Sequence, residues 1–174
     1  MFKENNNFLN KEQKNYLQNI FVNKDFPFYF SNKSIATDKN NRAILTHVIL
    51  NRLESEHPSK YINSDYYDSM VDILNCFLIS IKEKAYFFTR ISLNLTFNNG
   101  FDKSEIHQDH DYDHKQIIIY LNDCDKKAKT VIKQKGKTKE VIPEKYKGIC
   151  FGPDKHYHYF PKQGMRVILV ATYI

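Results

Sequence analysis

Long apolar runs are missing from this chain: no stretch approaches the roughly 18 to 20 residues that a membrane-spanning helix needs, which argues against a helical membrane protein. The opening residues, MFKENNNFLN, are polar, so no basic-then-apolar secretory leader is expected and the predicted compartment is the cytoplasm. Cysteine is scarce. Cys76, Cys124 and Cys150 are odd in number, far apart, and set in or beside apolar runs such as ILNCFLI and GICF. That pattern speaks against a disulfide framework and predicts buried thiols in a reducing environment. No linker, repeat or low-complexity segment marks a boundary, and 1–174 reads as one domain. With 41% apolar and 14% aromatic residues, a chain of this length forms a core without covalent or metal staples.

Arginine is absent where lysine is densest. Lys126 to Lys147 (KKAKTVIKQKGKTKEVIPEKYK) holds nine lysines and no arginine, in a chain of formal charge +6. Clustered cations suit phosphate, so a nucleic-acid surface is one reading. The preferred reading is a solvated face, because lysines on strands and hairpins also deter edge-to-edge pairing.

The first half has helical periodicity. KEQKNYLQNIFVN places Tyr16, Leu17, Ile20 and Phe21 on one stripe behind Asn10 as an N-cap. DKNNRAILTHVILNRLESEHP continues with Ile44, Leu45, Val48, Ile49 and Arg52/Leu53 at helical spacing and stops before Pro58. SDYYDSMVDILNCFLISIKEK carries a broad apolar face from Met70 to Ile81, with Ser64 as a candidate cap. From Ala85 the pattern changes. AYFFTRISLNLTF, YDHKQIIIYLND, KTVIKQ, TKEVIP, GICFG and MRVILVATYI are short β-branched or aromatic runs between turn signals. The expected architecture is α+β with a mainly β core, in which a helical layer (1–84) packs on the outside of an antiparallel sandwich or barrel (85–174).

What is abundant is concentrated. His107 to His114 (HQDHDYDH) packs three histidines and three aspartates into eight residues. His107 and Asp109 are two apart, and on an extended chain both face one side. HYHYFP, about fifty residues later, supplies His156 or His158 as a third ligand. Two histidines and one carboxylate leave open positions, the facial triad of non-haem Fe(II) oxygenases. Arg166, at the start of the last strand, offers a planar fork suited to a carboxylate.

In this order, ISLNLTF, IHQDHDY, QIIIYLND, VIPEKYKGICF and KHYHYFPKQGMRVILVATY resemble the 2-oxoglutarate and Fe(II)-dependent oxygenases, particularly the compact prolyl-4-hydroxylase-like members of phage type. The resemblance covers roughly 85–174 and implies a double-stranded β-helix, a jelly-roll of cupin-like shape with iron in its mouth. It implies Fe(II), 2-oxoglutarate and O2 as cofactor and cosubstrates, with ascorbate as a reductant. It also implies release of succinate and CO2 on hydroxylation of a C–H bond. The spacing of ten residues to Arg166 that the family implies, and the match to His-Tyr-x-x-x-Pro, favour His156 as distal ligand; His158 is the alternative, or else a neighbouring support. The family's Gly-Gly-x-Thr turn after the YLN strand is missing, with Thr130 as the equivalent position.

Other candidates fill in the pocket. Asn94 stands where the family often presents a polar residue to the iron-bound end of 2-oxoglutarate. Tyr120 is a candidate hydroxyl donor to the cosubstrate, and Thr172, on the strand face of Arg166, could add a hydroxyl to the same carboxylate. His110 and His114 would bind zinc only on a helix, which the following β run disfavours. They are expected with Asp111 and Asp113 at the rim or in solvent. His47 and His57 are read as structural or exposed. A protein or peptide side chain such as proline is the favoured substrate, with a nucleic-acid base the alternative through Lys126 to Lys147. A non-catalytic cupin-like metal- or nucleic-acid-binding module is the competing class.

Overall fold

The computed structural model describes residues 1–22, 26–35, 38–52 and 61–174. In chain order it has β1 (Phe2–Asn5), α1 (Lys11–Val22), β2 (Tyr29–Ser31), β3 (Ile44–Leu50), α2 (Tyr67–Ser80), β4 (Phe88–Phe97) and β5 (Lys115–Tyr120). β6 (Thr130–Gln134), β7 (Lys137–Val141), β8 (Gly148–Phe151), β9 (Lys155–His158) and β10 (Met165–Tyr173) follow. The strands form a seven-stranded sheet, β1-β8-β5-β10-β4-β3-β2, and a three-stranded sheet, β7-β6-β9, with antiparallel neighbours throughout.

Alternation along the central strands decides which side chains meet what. The odd positions Ile91, Leu93, Ile117, Ile119, Val167, Leu169 and Ala171 pack with Leu17 and Ile20 of α1 and with Met70, Ile73, Leu74, Phe77 and Leu78 of α2. Even positions such as Ile118, Tyr120, Ile168 and Val170 turn the other way and pack with Ile132 and Val141 of the small sheet. The large sheet therefore has one apolar face covered by helices and one mixed face, apolar in part and polar in part, turned to its partner sheet. This is the double-stranded β-helix with external helices that the motifs imply. No helix of the described residues is long and apolar enough to cross a membrane.

Local chemistry sets the element ends. Asn10 Oδ1 accepts from the Gln13 N–H at 2.9 Å while Gln13 Oε1 accepts from the Asn10 N–H at 3.0 Å, a reciprocal cap for α1. Ser64 Oγ accepts from the Tyr66 N–H at 3.2 Å just ahead of α2. Gly148 is required by packing, because a Cβ there would collide with the Phe77 ring. Lys135 and Gly136, with φ of 47° and 76°, make the two-residue turn between β6 and β7.

Two expectations for 1–84 are corrected. Ile44–Leu50 is a strand and not a helix; it pairs with β4 in the register Leu45↔Leu95, Thr46↔Asn94, His47↔Leu93. Apolar residues at 44, 45, 48 and 49 fit either a helix or a strand buried on both faces, and the β-branched Ile44, Thr46, Val48 and Ile49 favour the strand once β4 offers a ladder. The polar opening segment contains β1, an edge strand lying against β8, so the region before Ala85 adds three strands to the sheet besides its two helices. His47 is buried, with Nδ1 2.7 Å from the Pro27 carbonyl and Nε2 2.7 Å from Ser64 Oγ. His57 and the end of the expected second helix fall outside the described residues.

Candidate metal centre

Between the sheets lies a cavity of about 740 Å³. The even positions of β4, β5 and β10 reach it as Arg90, Asn94, Gln116, Ile118, Arg166 and Ile168. His107 and Asp109 come from the connection between β4 and β5, and His156 from β9.

A backbone clamp sets the two histidines together. The His107 N–H donates to the His156 carbonyl at 3.0 Å and the His156 N–H returns the bond at 2.9 Å, which brings the ring centroids to 4.4 Å. Each ring spends Nδ1 on the carbonyl two residues earlier, Glu105 at 3.0 Å and Asp154 at 3.1 Å. A carbonyl only accepts, so each neutral ring carries its proton on Nδ1 and presents Nε2 as a lone-pair donor. Gln116 Nε2, 3.4 Å from His156 Nε2, fits the same tautomer.

Asp109 completes the set. One ligand atom from each of His107, Asp109 and His156 lies within 4.8 Å of the others, and this is the group of metal-ligand type found among the described residues. The carboxylate is 4% exposed. Its Oδ1 accepts from Arg90 Nη1 at 3.0 Å and Arg52 Nη2 at 3.2 Å, and Arg52 Nη1 also donates to the Asp109 carbonyl. Oδ2 has no hydrogen-bond partner among the described residues and stands 3.7 Å from His156 Nε2. Burial by itself would raise this carboxyl, but Arg90 foremost, with Arg52, holds it well below the ordinary carboxylate range; the imidazoles add to this only when protonated. Burial, then the neighbouring His107, pushes His156 down to about 4 against the pull of Asp109. An ionised carboxylate and a neutral imidazole are the forms that bind a metal. The orphaned Oδ2 and the two Nε2 atoms thus fit a divalent ion bound on one side.

Arg166 is 1% exposed. Its Nη2 donates to Thr130 Oγ1 at 2.8 Å, the oxygen that also accepts from the Tyr120 hydroxyl at 2.7 Å. The guanidinium lies 5.4 Å from the Tyr120 ring centroid. Among the described residues Nη1 and Nε have no hydrogen-bond partner and no carboxylate pairs with the side chain. A buried cation held by one neutral hydroxyl and one ring face leaves room for an anion, since uncompensated burial of a charge costs several kcal/mol by general experience.

The other sequence candidates divide. Asn94 lines the cavity, its Oδ1 accepting from Thr46 Oγ1 at 3.0 Å and Ser92 Oγ at 3.2 Å. The Tyr120 hydroxyl is committed to Thr130. Thr172 is not brought to Arg166: its Oγ1 lies 2.7 Å from Thr89 Oγ1 and 2.8 Å from His110 Nε2, and six residues of strand span about 20 Å. His158 faces the cavity beside Arg166 but outside the converging trio. Burial and then the Arg166 charge keep its imidazole neutral. His110 and His114 are buried rather than at the rim, with ring centroids 4.9 Å apart on a non-helical segment, whereas Asp111 and Asp113 are exposed. Sequence reasoning missed Arg52 and Arg90. Arg90 had a signal, because TRISLNLTF alternates polar and apolar residues and places Arg90 on the face of Ser92, Asn94 and Thr96.

No protein-family model matches the sequence, and no curated protein matches it. Solved structures do. An oxidoreductase of the 2OG-Fe(II) oxygenase family from Burkholderia pseudomallei superposes with a TM-score of 0.75 at 16% identity, over 99% of this chain and 84% of that one. A prolyl hydroxylase from Trichoplax adhaerens, solved with a peptide fragment of the hypoxia inducible factor oxygen degradation domain, gives 0.70 at 16% identity, over 99% and 83%. A Pseudomonas putida prolyl-4-hydroxylase gives 0.62 at 14% identity, over 99% and 91%. The chain shares their fold. The resemblance carried by the motifs is therefore borne out as an architecture, and within that fold the trio and Arg166 line one cavity.

Proposed function

We propose that the protein is an Fe(II)- and 2-oxoglutarate-dependent dioxygenase, one catalytic domain over 1–174, that hydroxylates a C–H bond of its substrate. One observation carries this reading: the buried Arg166, with no anionic partner among the described residues, lines the same cavity as the converging His107, Asp109 and His156. A metal-binding module alone would have no use for such a guanidinium.

His107 Nε2, His156 Nε2 and Asp109 Oδ2 would hold the iron, with Arg52 and Arg90 fixing Oδ1 so that Oδ2 turns inward. Arg166, oriented by Thr130, takes the far carboxylate of 2-oxoglutarate, and Asn94 faces the cosubstrate from β4. Iron bound there supplies the oxidative decarboxylation of 2-oxoglutarate to succinate and CO2 that is coupled to hydroxylation by O2, with ascorbate as reductant. Ile118, Ile168 and Val170 give the cavity apolar walls that limit water at the reacting centre.

A protein side chain such as proline is the favoured substrate. The peptide-bound and proline-hydroxylating proteins of the same fold support it, and none of the nine lysines of Lys126 to Lys147 lines the cavity. Several are engaged locally: Lys129 with Glu140 at 2.7 Å, Lys147 with Glu144 at 2.9 Å, and Lys139 over the Phe2 ring at 3.6 Å. The test is Fe(II)-dependent conversion of 2-oxoglutarate to succinate. Wild type is expected to turn over and His107→Ala is expected not to; equal turnover by both would end the reading.

A further inference from the structure

His158 is a half-buried side chain of the cavity whose enclosed ring nitrogen the proposed chemistry leaves without work. Its Nε2 is fully enclosed and has no hydrogen-bond partner among the described residues, a state it shares with Nη1 and Nε of Arg166. A buried ring nitrogen without a partner forfeits the hydrogen bond it makes in water, so its presence calls for a ligand.

Strand register puts these unsatisfied groups together. His158 lies two residues after His156 on β9, on the face that meets the cavity. It is paired across the ladder with Thr130, and Thr130 Oγ1 is the oxygen that holds Arg166 Nη2. One side of the ring is set edge-on against Phe160, with centroids 5.0 Å apart. The imidazole is therefore confined by packing and backbone pairing and not by any polar contact of Nε2.

We propose that His158 and Arg166 form a two-residue carboxylate clamp, in which the Nε2–H of His158 donates to the same anionic group that pairs with the guanidinium. This rests on the reading of Arg166 as the anchor of 2-oxoglutarate and assigns a second anchor. The division of labour is physical. Arg166 on β10 supplies the charge and a planar fork, and His158 on β9 adds a directional donor from the facing strand of the same cavity.

The experiment uses the Mn(II)-loaded protein and the unreactive analogue N-oxalylglycine, with calorimetry reading both affinities. Wild type is expected to bind the analogue only when loaded with metal, and Arg166→Met is expected to weaken that binding about a hundredfold. His158→Leu should weaken the analogue by about ten- to a hundredfold, the range for a hydrogen bond to a charged group, and leave Mn(II) affinity unchanged. His158→Gln, which keeps an N–H donor, should recover most of the loss. Unchanged analogue affinity in His158→Leu overturns the clamp, as does loss of Mn(II) binding in that variant, which would make His158 a metal ligand. A wild-type protein that binds Mn(II) but never the analogue would instead bring down the oxygenase reading, and the clamp with it. Independently of any variant, the His158 Nε2–H resonance of the Zn(II)-loaded wild type should move downfield and exchange more slowly on adding N-oxalylglycine; a resonance that does not respond overturns the clamp.

Discussion

Asp109 and Arg166 are both buried, face one cavity and carry opposite charge, yet they are solvated by the protein in opposite ways. Asp109 Oδ1 is gripped by two guanidiniums, and two imidazoles stand beside it. Arg166 has one neutral hydroxyl and one aromatic face. The acid is compensated from within the fold, and so its geometry is fixed before any ligand arrives. The guanidinium awaits compensation from outside, which is what a site for an exchangeable dicarboxylate requires and a site for a resident metal does not.

The contrast breaks most visibly at Asp109. Asp109→Asn should abolish Mn(II) and Fe(II) binding and also lower stability by about 1–3 kcal/mol, because it removes a buried carboxylate that two partly exposed guanidiniums hold. Calorimetric titration and thermal melts check both parts, and a variant that still binds Mn(II) like wild type would disprove the ligand assignment. Lowering the pH of the metal-free protein acts on the same centre. His156 is depressed from 6.5 to about 4 in the fold, so between those values the unfolded chain takes up a proton that the folded chain refuses. Its contribution to stability is full above about pH 6.5 and falls as pH drops towards 4, by on the order of 3 kcal/mol. Asp109, depressed below its ordinary 3.8, adds a further loss only at still lower pH. Denaturant melts of wild type and His156→Asn across that window should differ in slope; parallel curves would remove His156 as the cause.

Arg166→Met should behave in the reverse sense. Removing an uncompensated buried cation in favour of an apolar chain of similar length is expected to leave the metal-free protein within about 1 kcal/mol of wild type or to stabilise it. N-oxalylglycine affinity of the Mn(II)-loaded variant should fall about a hundredfold. Destabilisation of the variant as large as that of Asp109→Asn would erase the distinction between the two charges.

How far these sites were legible follows from where their geometry is encoded. The period-two alternation of ISLNLTF puts Asn94 on one strand face, but its role comes from the family resemblance and that of Arg166 from its order after the His-x-Asp and the distal histidine. His107 and His156 are chemically conspicuous, but their mutual approach depends on an isolated antiparallel bridge between segments far apart in the chain, which no local pattern records. Thr172 shows the limit of a face argument: the shared face is real, but strand length separates it from Arg166. Ile44–Leu50 misled for a different reason. Its apolar positions satisfy two periodicities, and only the neighbouring β4 decides between them. Arg52 follows that misread segment, so its contact with Asp109 was out of reach, and His110 was expected at the surface because nothing local announces its bond to Thr172.

The finest test of the comparison is the redundancy around Oδ1. Arg90 and Arg52 donate to the same oxygen, so losing one leaves the carboxylate still held, and Arg90→Ala should weaken Mn(II) binding only about tenfold, the lower end for residues that orient a metal ligand. N-oxalylglycine affinity at saturating metal should not change, since Arg90 acts through Asp109 and not on the carboxylate clamp. Losing both guanidiniums frees the carboxylate to rotate and take Oδ2 away from the histidines. Arg52→Ala combined with Arg90→Ala should therefore cost more metal affinity than the two single losses added together. Strict additivity would mean that the arginines tune the charge of Asp109 without fixing its orientation, and the compensated acid would then be no more preorganised than the waiting guanidinium.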